Sequence, residues 1–175
     1  MIQYKTASSS EELHQILALQ KANLPNSISS EEKDTEGFLT VVHDFELLNR
    51  MNDACPHIIA KDGDRLVGYT LCMHPKFGKE IEVLKSMFQE IHRFYNGSKF
   101  IVMGQVCVDK DYRKQGVFRK LYETMIEKVL PEFTTIITEV DAKNIRSISA
   151  HYAVGFSLLS RYHFSGQDWE LIALS

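Results

Sequence analysis

The segment from Lys99 to Val140 limits the fold more than any other part of the chain. It opens with KFIVMGQVCV (Lys99 to Val108), an apolar run of strand composition in which Gly104 marks a bulge or a point of close approach. Gly116 to Leu130 then carries Phe118, Leu121, Tyr122, Met125 and Val129 on one helical face, with Pro131 as the stop. Thr134 to Val140 is β-branched and strand-like again. A strand, a helix and a second strand in this order require a crossover connection, which brings parallel pairing into the sheet.

The flanking segments add antiparallel pairs. A short strand near Ile2 to Thr6 precedes a capping box, Ser9-Ser10-Glu11-Glu12, and a helix with Leu13, Ile16 and Leu17 inward that ends before Pro25. Asp44 caps a second helix bearing Leu47, Leu48 and Met51, stopped by Pro56. His57 to Lys61 and Arg65 to Met73 read as strands around Asp62-Gly63-Asp64, a hairpin signal. Ile81 to Tyr95 has apolar residues at 81, 84, 88, 91 and 95 and reads as one helix. Ser147 to Val154 is a short helix closed by Gly155, and Phe156 to Phe164 and Trp169 to Leu174 are strands joined at Ser165-Gly166. Asn26 to Gly37 is polar without a clear period, a mobile loop or short helix. The order β-α-α-β-β-α-β-α-β-α-β-β predicts one α/β (α+β) domain over residues 1–175, a mixed, mostly antiparallel sheet with helices on both faces.

The bulk numbers exclude several classes. The chain's 175 residues suit one domain, and 44% hydrophobic with 25% charged residues is ordinary for a soluble protein. A net charge of −3 argues against a nucleic-acid binder. The three cysteines, Cys55, Cys72 and Cys107, form no CxxC pair, which points to a reducing compartment. Met1 to Ser10 lacks the order of a signal peptide, and no apolar run approaches the ~18 residues of a membrane span. A cytoplasmic protein without membrane contact is expected. The seven histidines show no HExxH or paired Cys/His spacing, so no metal site is expected.

Against that background the stretch YRKQGVFRKLY (Tyr112 to Tyr122) is unusual. It puts Arg113 and Lys114 just before a helix N-terminus, where the macrodipole disfavours cations. An anion there reverses the balance. The first turn of a helix offers unpartnered N–H groups, Gly116 allows close approach, and Arg113 and Lys114 add charge. Together they would form a pyrophosphate cradle. The plainer reading is a solvated connector before an amphipathic helix. Neither GxxxxGKS/T nor GxGxxG occurs.

Arg113-Lys114-Gln115-Gly116-Val117-Phe118 resembles the Q/R-x-x-G-x-G/A signature of the GNAT superfamily of acyl-CoA-dependent N-acyltransferases, with Phe118 where Gly or Ala is usual. Asn144 to Phe156 resembles that family's N-x-x-A/S-x-x-x-Y/H-x-x-x-G-F segment. The resemblance spans essentially the whole chain and implies acetyl-CoA as acyl donor, no metal, and an amine acceptor of a small molecule or protein. It also allows a homodimer, since dimers are frequent in the family.

The resemblance assigns the coenzyme to Arg113, Lys114, Gln115, Gly116, Val117, Phe118 and Arg119; Asn144, most simply the cap or turn residue of the last helix, gains by the resemblance a contact to the pantetheine or to an ordered water. The backbone of Val106, Cys107 and Val108 would lie beside the pantetheine arm. The family's usual Tyr falls on His151, with Tyr152 one residue later, so either could protonate the leaving thiolate, or neither. Glu139 would take the amine proton through water, and Asp141 close by is equally a turn residue. Cys107 activated by His151 would instead make a covalent acyl-enzyme. A fold of this family that binds acyl-CoA without turnover, as a sensor or interaction module, is the competing reading.

Overall fold

The computed structural model describes residues 1–24, 27, 29, 30, 39 and 41–175. Its regular elements are β1 (Ile2–Thr6), α1 (Ser10–Ala22), α2 (Phe45–Ala54), β2 (Ile58–Asp62), β3 (Arg65–Met73), α3 (Lys85–Phe94), β4 (Phe100–Val108), α4 (Val117–Val129), β5 (Thr135–Asp141), α5 (Ile145–Val154), β6 (Ser157–Phe164) and β7 (Gln167–Leu174). The loop expected over Asn26 to Gly37 lies outside the described residues, apart from Ser27, Ser29 and Ser30.

Local chemistry sets the helix starts. Ser9 accepts from the Glu12 N–H, Asp44 from Leu47 and Asn144 from Ser147, each satisfying a first-turn donor. Gly155 closes α5 at φ 120°, and its N–H bonds the carbonyls of His151 and Tyr152. One helix is shorter than its periodicity suggests. Pro75–Lys79 and Glu82–Leu84 are separate 3-10 turns, and α3 begins only at Lys85.

The strands form one sheet in the order β1-β2-β3-β4-β5-β7-β6, antiparallel except for the β4–β5 pair. Alternation along the strands divides the core in two. Ile59, Leu71, Val102, Ile137 and Leu171 pack with Leu13 and Ile16 of α1, Leu48 and Met51 of α2 and Phe88 and Ile91 of α3. Ile58, Val67, Ile101, Ile136 and Ile172 pack with Leu121, Tyr122 and Met125 of α4 and Ile148 of α5. Each helix therefore belongs to one face.

The sheet splits at one place. β4 and β5 pair only from Phe100–Thr135 to Val102–Ile137, while β4 continues to Val108 against β3 alone. At the apex of this fork the Thr138 hydroxyl bonds the Met103 carbonyl at 2.9 Å, taking over from the ladder. Gly104 is the extra residue of a bulge, since Leu71 and Cys72 of β3 face Gln105 and Met103. Beyond it the last third of β4 leans on β3 with its other edge open to the fork.

Candidate active site

On the α4–α5 face the fork opens into a cleft of about 320 Å³. Val106, Cys107 and Val108 form its floor, the connector and first turn of α4 one wall, and α5 the other. The connector is braced by the β2–β3 hairpin. The Tyr112 hydroxyl donates to Asp62 at 3.0 Å, and Arg65 pairs with Asp109 at 2.8 Å. Lys114 (φ 62°) and Gly116 (φ 81°) both occupy the left-handed region, which turns this backbone sharply into α4. No side chain caps the first turn of α4, and a Cβ at Gly116 would meet nothing within 4 Å. Open space in front of unsatisfied helix N–H groups is what a phosphate requires.

The cleft gathers most residues expected to hold the coenzyme: Arg113, Lys114, Gly116, Val117, Phe118, Arg119 and Asn144 line it with the end of β4. Gln115 stands apart, because its amide donates back to the Asp111 carbonyl at 2.8 Å. Arg113 also braces the wall, donating to the Val108 carbonyl at 3.2 Å and to Asn23 of α1 at 2.8 Å. Arg119 ties α4 to α5 through the Ala153 carbonyl at 2.6 Å. Phe118 lines the cleft and also packs edge-on against His151, with ring centroids 5.1 Å apart.

Neither candidate acid reaches the cleft. His151 is 1% exposed, with Nε2 2.7 Å from the Tyr122 hydroxyl and Nδ1 2.7 Å from the Ser147 carbonyl. The carbonyl can only accept, so Nδ1 carries the proton and Nε2 accepts from the phenol. Burial holds the imidazole down at about 4, so it is neutral at pH 7. An imidazole with both nitrogens engaged in the core has no route to a leaving group. Tyr152, one residue further round α5, lines a different cleft against β6 and β7 and donates to Glu170 at 2.5 Å. The α5 residues that do face the first cleft are Asn144, Arg146, Ser147, Ala150, Ala153 and Val154.

The pairing of Cys107 with His151 fails for a topological reason. Cys107 packs on the α1–α3 face and His151 against Tyr122 and Phe156 on the other, so the sheet separates them. Burial also pushes the Cys107 thiol up to about 12, which removes the thiolate needed for attack.

On the α1–α3 face the far side of the fork is polar. Glu139 follows Ile137 in the alternation of β5, just past the last β4–β5 pair, and is only partly buried. Burial raises its carboxyl to about 7 despite a hydrogen bond from the Tyr162 hydroxyl. Gln105 of β4 accepts from Tyr69 at 2.7 Å and Gln20 at 2.8 Å, and donates to the Val41 carbonyl at 2.8 Å. His43 completes this buried network with Gln20, its backbone N–H donating to Gln20 Oε1 at 2.9 Å. Among the described residues no cluster of His, Cys, Asp and Glu could hold a metal ion.

The structure thus joins a split sheet to an open cleft at a helix N-terminus. Residues 13–156 match the model of the Acetyltransferase (GNAT) family, and the chain belongs to that family. Acetyl-CoA is accordingly its acyl donor. A chain of the NatC complex, in a crystal structure bound to Gag peptide and CoA, superposes with a TM-score of 0.70 at 20% identity, covering 99% of this chain and 97% of that one. A ribosomal-protein-alanine N-acetyltransferase from Brucella melitensis gives 0.64 at 20% identity over 98% of both chains. The acetyltransferase yncA from Salmonella typhimurium, described as putative and solved with acetyl-CoA, gives 0.65 at 13% identity over 99% of this chain and 93% of that one. Comparison with curated proteins gives no match.

Proposed function

We propose that this protein is an N-acetyltransferase that moves the acetyl group of acetyl-CoA to a primary amine of a small molecule or protein. The fork between β4 and β5 carries the reading, because the cleft at the first turn of α4 opens at it and the Glu139 carboxylate lies just past the last β4–β5 pair. The turn at Lys114–Gly116 and the first turn of α4 would take the pyrophosphate, with Lys114 adding charge. The unpaired edge of Val106–Val108 would run beside the pantetheine arm and offer an N–H to the acyl carbonyl.

The amine nitrogen attacks the thioester carbonyl carbon from the α1–α3 side. A C–N bond forms, the C–S bond breaks, sulfur leaves as thiolate and nitrogen sheds a proton. Glu139 accepts that proton when ionised, above about pH 7. His151 and Tyr152 face away from the cleft, so water protonates the thiolate. The peptide bound to NatC and the name of the Brucella relative both favour a protein amino group as acceptor.

The test is release of CoA thiol from acetyl-CoA against a panel of diamines, amino sugars and peptides beginning with alanine or methionine. Turnover with at least one amine, and an acetylated product by mass spectrometry, is expected. Calorimetric binding of acetyl-CoA with no CoA release across the panel would overturn the reading and leave a binding module.

A further inference from the structure

Glu139 is not left to orient itself. It lies opposite Leu171 of β7, and Leu171 lies opposite Ser160 of β6. Tyr162, two residues beyond Ser160, shares that face of the sheet, and its hydroxyl donates to Glu139 Oε2. The two residues together bridge two strand spacings, about 10 Å, over β7. Oε1 has no hydrogen-bond partner among the described residues, so the phenol holds one oxygen and leaves the other available.

Tyr162 is in turn connected to α3. Ser86 of α3 lies near enough to the phenol to act on it electrostatically. On the next turn of the same helix, Glu90 accepts from the Ser160 hydroxyl at 3.2 Å. The Ser160–Glu90 bond thus seats α3 on β6 beside the phenol. We propose that Tyr162 is a positioning residue that fixes the Glu139 carboxylate at the fork and ties its orientation to the seating of α3. This rests on the reading of Glu139 as the group that takes the amine proton.

The charged surroundings leave this one donor in control. From α3, Glu90 is the charged group beside the pair, and Arg93 lies 3.8 Å from its carboxylate. On β5, Asp141 is occupied by Gln167 at 3.0 Å and the Lys143 N–H at 2.9 Å. β4 contributes Gln105, which is neutral. Removing the phenol should therefore be felt directly by Glu139, since a donor to a carboxylate favours its ionised form.

The test uses the full chain and three variants: Tyr162→Phe, Ser86→Ala and Glu139→Gln. The carboxyl signals of carbon-13-labelled glutamate are followed against pH, with Glu139 assigned by its absence in Glu139→Gln. In Tyr162→Phe the Glu139 midpoint should rise by about half to one pH unit. In Ser86→Ala it should move the same way by less. The acid limb of kcat/KM for the amine should move with the carboxyl signal, while the acetyl-CoA Kd stays within about twofold. No movement of the Glu139 midpoint in whichever of the two variants folds overturns the proposal. A shifted midpoint in an enzyme whose Glu139→Gln variant keeps full activity supports the positioning and removes only the proton-accepting role.

Discussion

Replacing His151 with alanine should make the protein easier to unfold while leaving the chemistry of the folded molecule near wild type. The imidazole sits among the rings of Phe118, Tyr122 and Phe156, with centroids 5.1 to 5.5 Å away. Deleting a buried ring of this size costs about 2–4 kcal/mol in lost packing and residual cavity. The Tyr122 hydroxyl is fully buried and loses its acceptor, a further penalty of about 1–3 kcal/mol. Alanine returns about 0.5 kcal/mol as the better helix former. The net is a loss of about 4 kcal/mol. At about 2–4 °C per kcal/mol for a domain of this size, the melting temperature should fall by about 8–16 °C. Urea unfolding gives the loss, and kcat at a temperature where the variant is folded gives the chemistry. Unchanged stability with a hundredfold loss of kcat would refute this placement and make His151 an actor on substrate.

The same variant has a signature in pH. The folded-state values of His57 and His151 are about 4, below the ordinary 6.5, so their stabilisation is complete above pH 6.5 and lost as pH falls through 4. Glu139 runs the other way: raised from 4.5 to about 7, it contributes most at low pH and loses its contribution as pH rises through 7. Near pH 5.5 unfolding takes up about one proton at each histidine and releases about one at Glu139, a net uptake of about one. These three groups together make stability rise by about 1.4 kcal/mol per pH unit there. In His151→Ala this slope should fall by about 1.4 kcal/mol per pH unit, and in Glu139→Gln it should rise by about as much. A slope that is the same in all three proteins would show that these groups do not titrate as their burial requires.

Two further substitutions probe the cleft. Gly116→Val forces a β-branched residue to φ 81° and aims its side chain into the open cradle; about 1–3 kcal/mol of strain should accompany at least a tenfold weakening of acetyl-CoA binding by calorimetry. An unchanged Kd would place the phosphate elsewhere. Cys107→Ala should keep kcat within about twofold, because a thiol pushed up to about 12 is packing and not a nucleophile; loss of turnover with intact acetyl-CoA binding would reopen a covalent route.

What could be read from the sequence followed the range of each physical signal. Caps are local, so Ser9, Asp44, Asn144 and Gly155 announced the helix ends where they occur. Periodicity reports which side chains face the core but not the hydrogen-bond ladder behind them. Ile81 and Leu84 therefore pack inward with Phe88 and Ile91, although two 3-10 turns precede α3. The open first turn of α4 was readable because its backbone groups belong to one contiguous segment. His151 and Tyr152 were not, because α5 turns about 100° per residue and only its neighbours decide which face meets the cleft. The spacing of Ser147, Ala150 and Ala153 after Asn144 carried the missing signal: small residues three apart mark the face that must leave room. Tyr162 was beyond reach for another reason, since its partner Glu139 is two strands away across β7.

The division of the core explains why one sheet can serve two reactants. α4 and α5 pack on one face and α1 to α3 on the other, so the two helical layers touch different sides of the same strands. The sheet opens where β4 leaves β5, and there β4 is anchored on its other edge by β3 through Val108. The split is therefore supported by rigid pairing and does not depend on a loop closing. A perturbation of the cradle at Gly116 should then act on the donor, and one at Tyr162 or Glu139 on the acceptor and its proton. Gln105 stands between them on β4, with every polar atom of its amide engaged by Gln20, Tyr69 or Val41. A neutral amide held at three of its four hydrogen-bonding positions gives the fork a fixed edge without offering a competing nucleophile or base to the thioester.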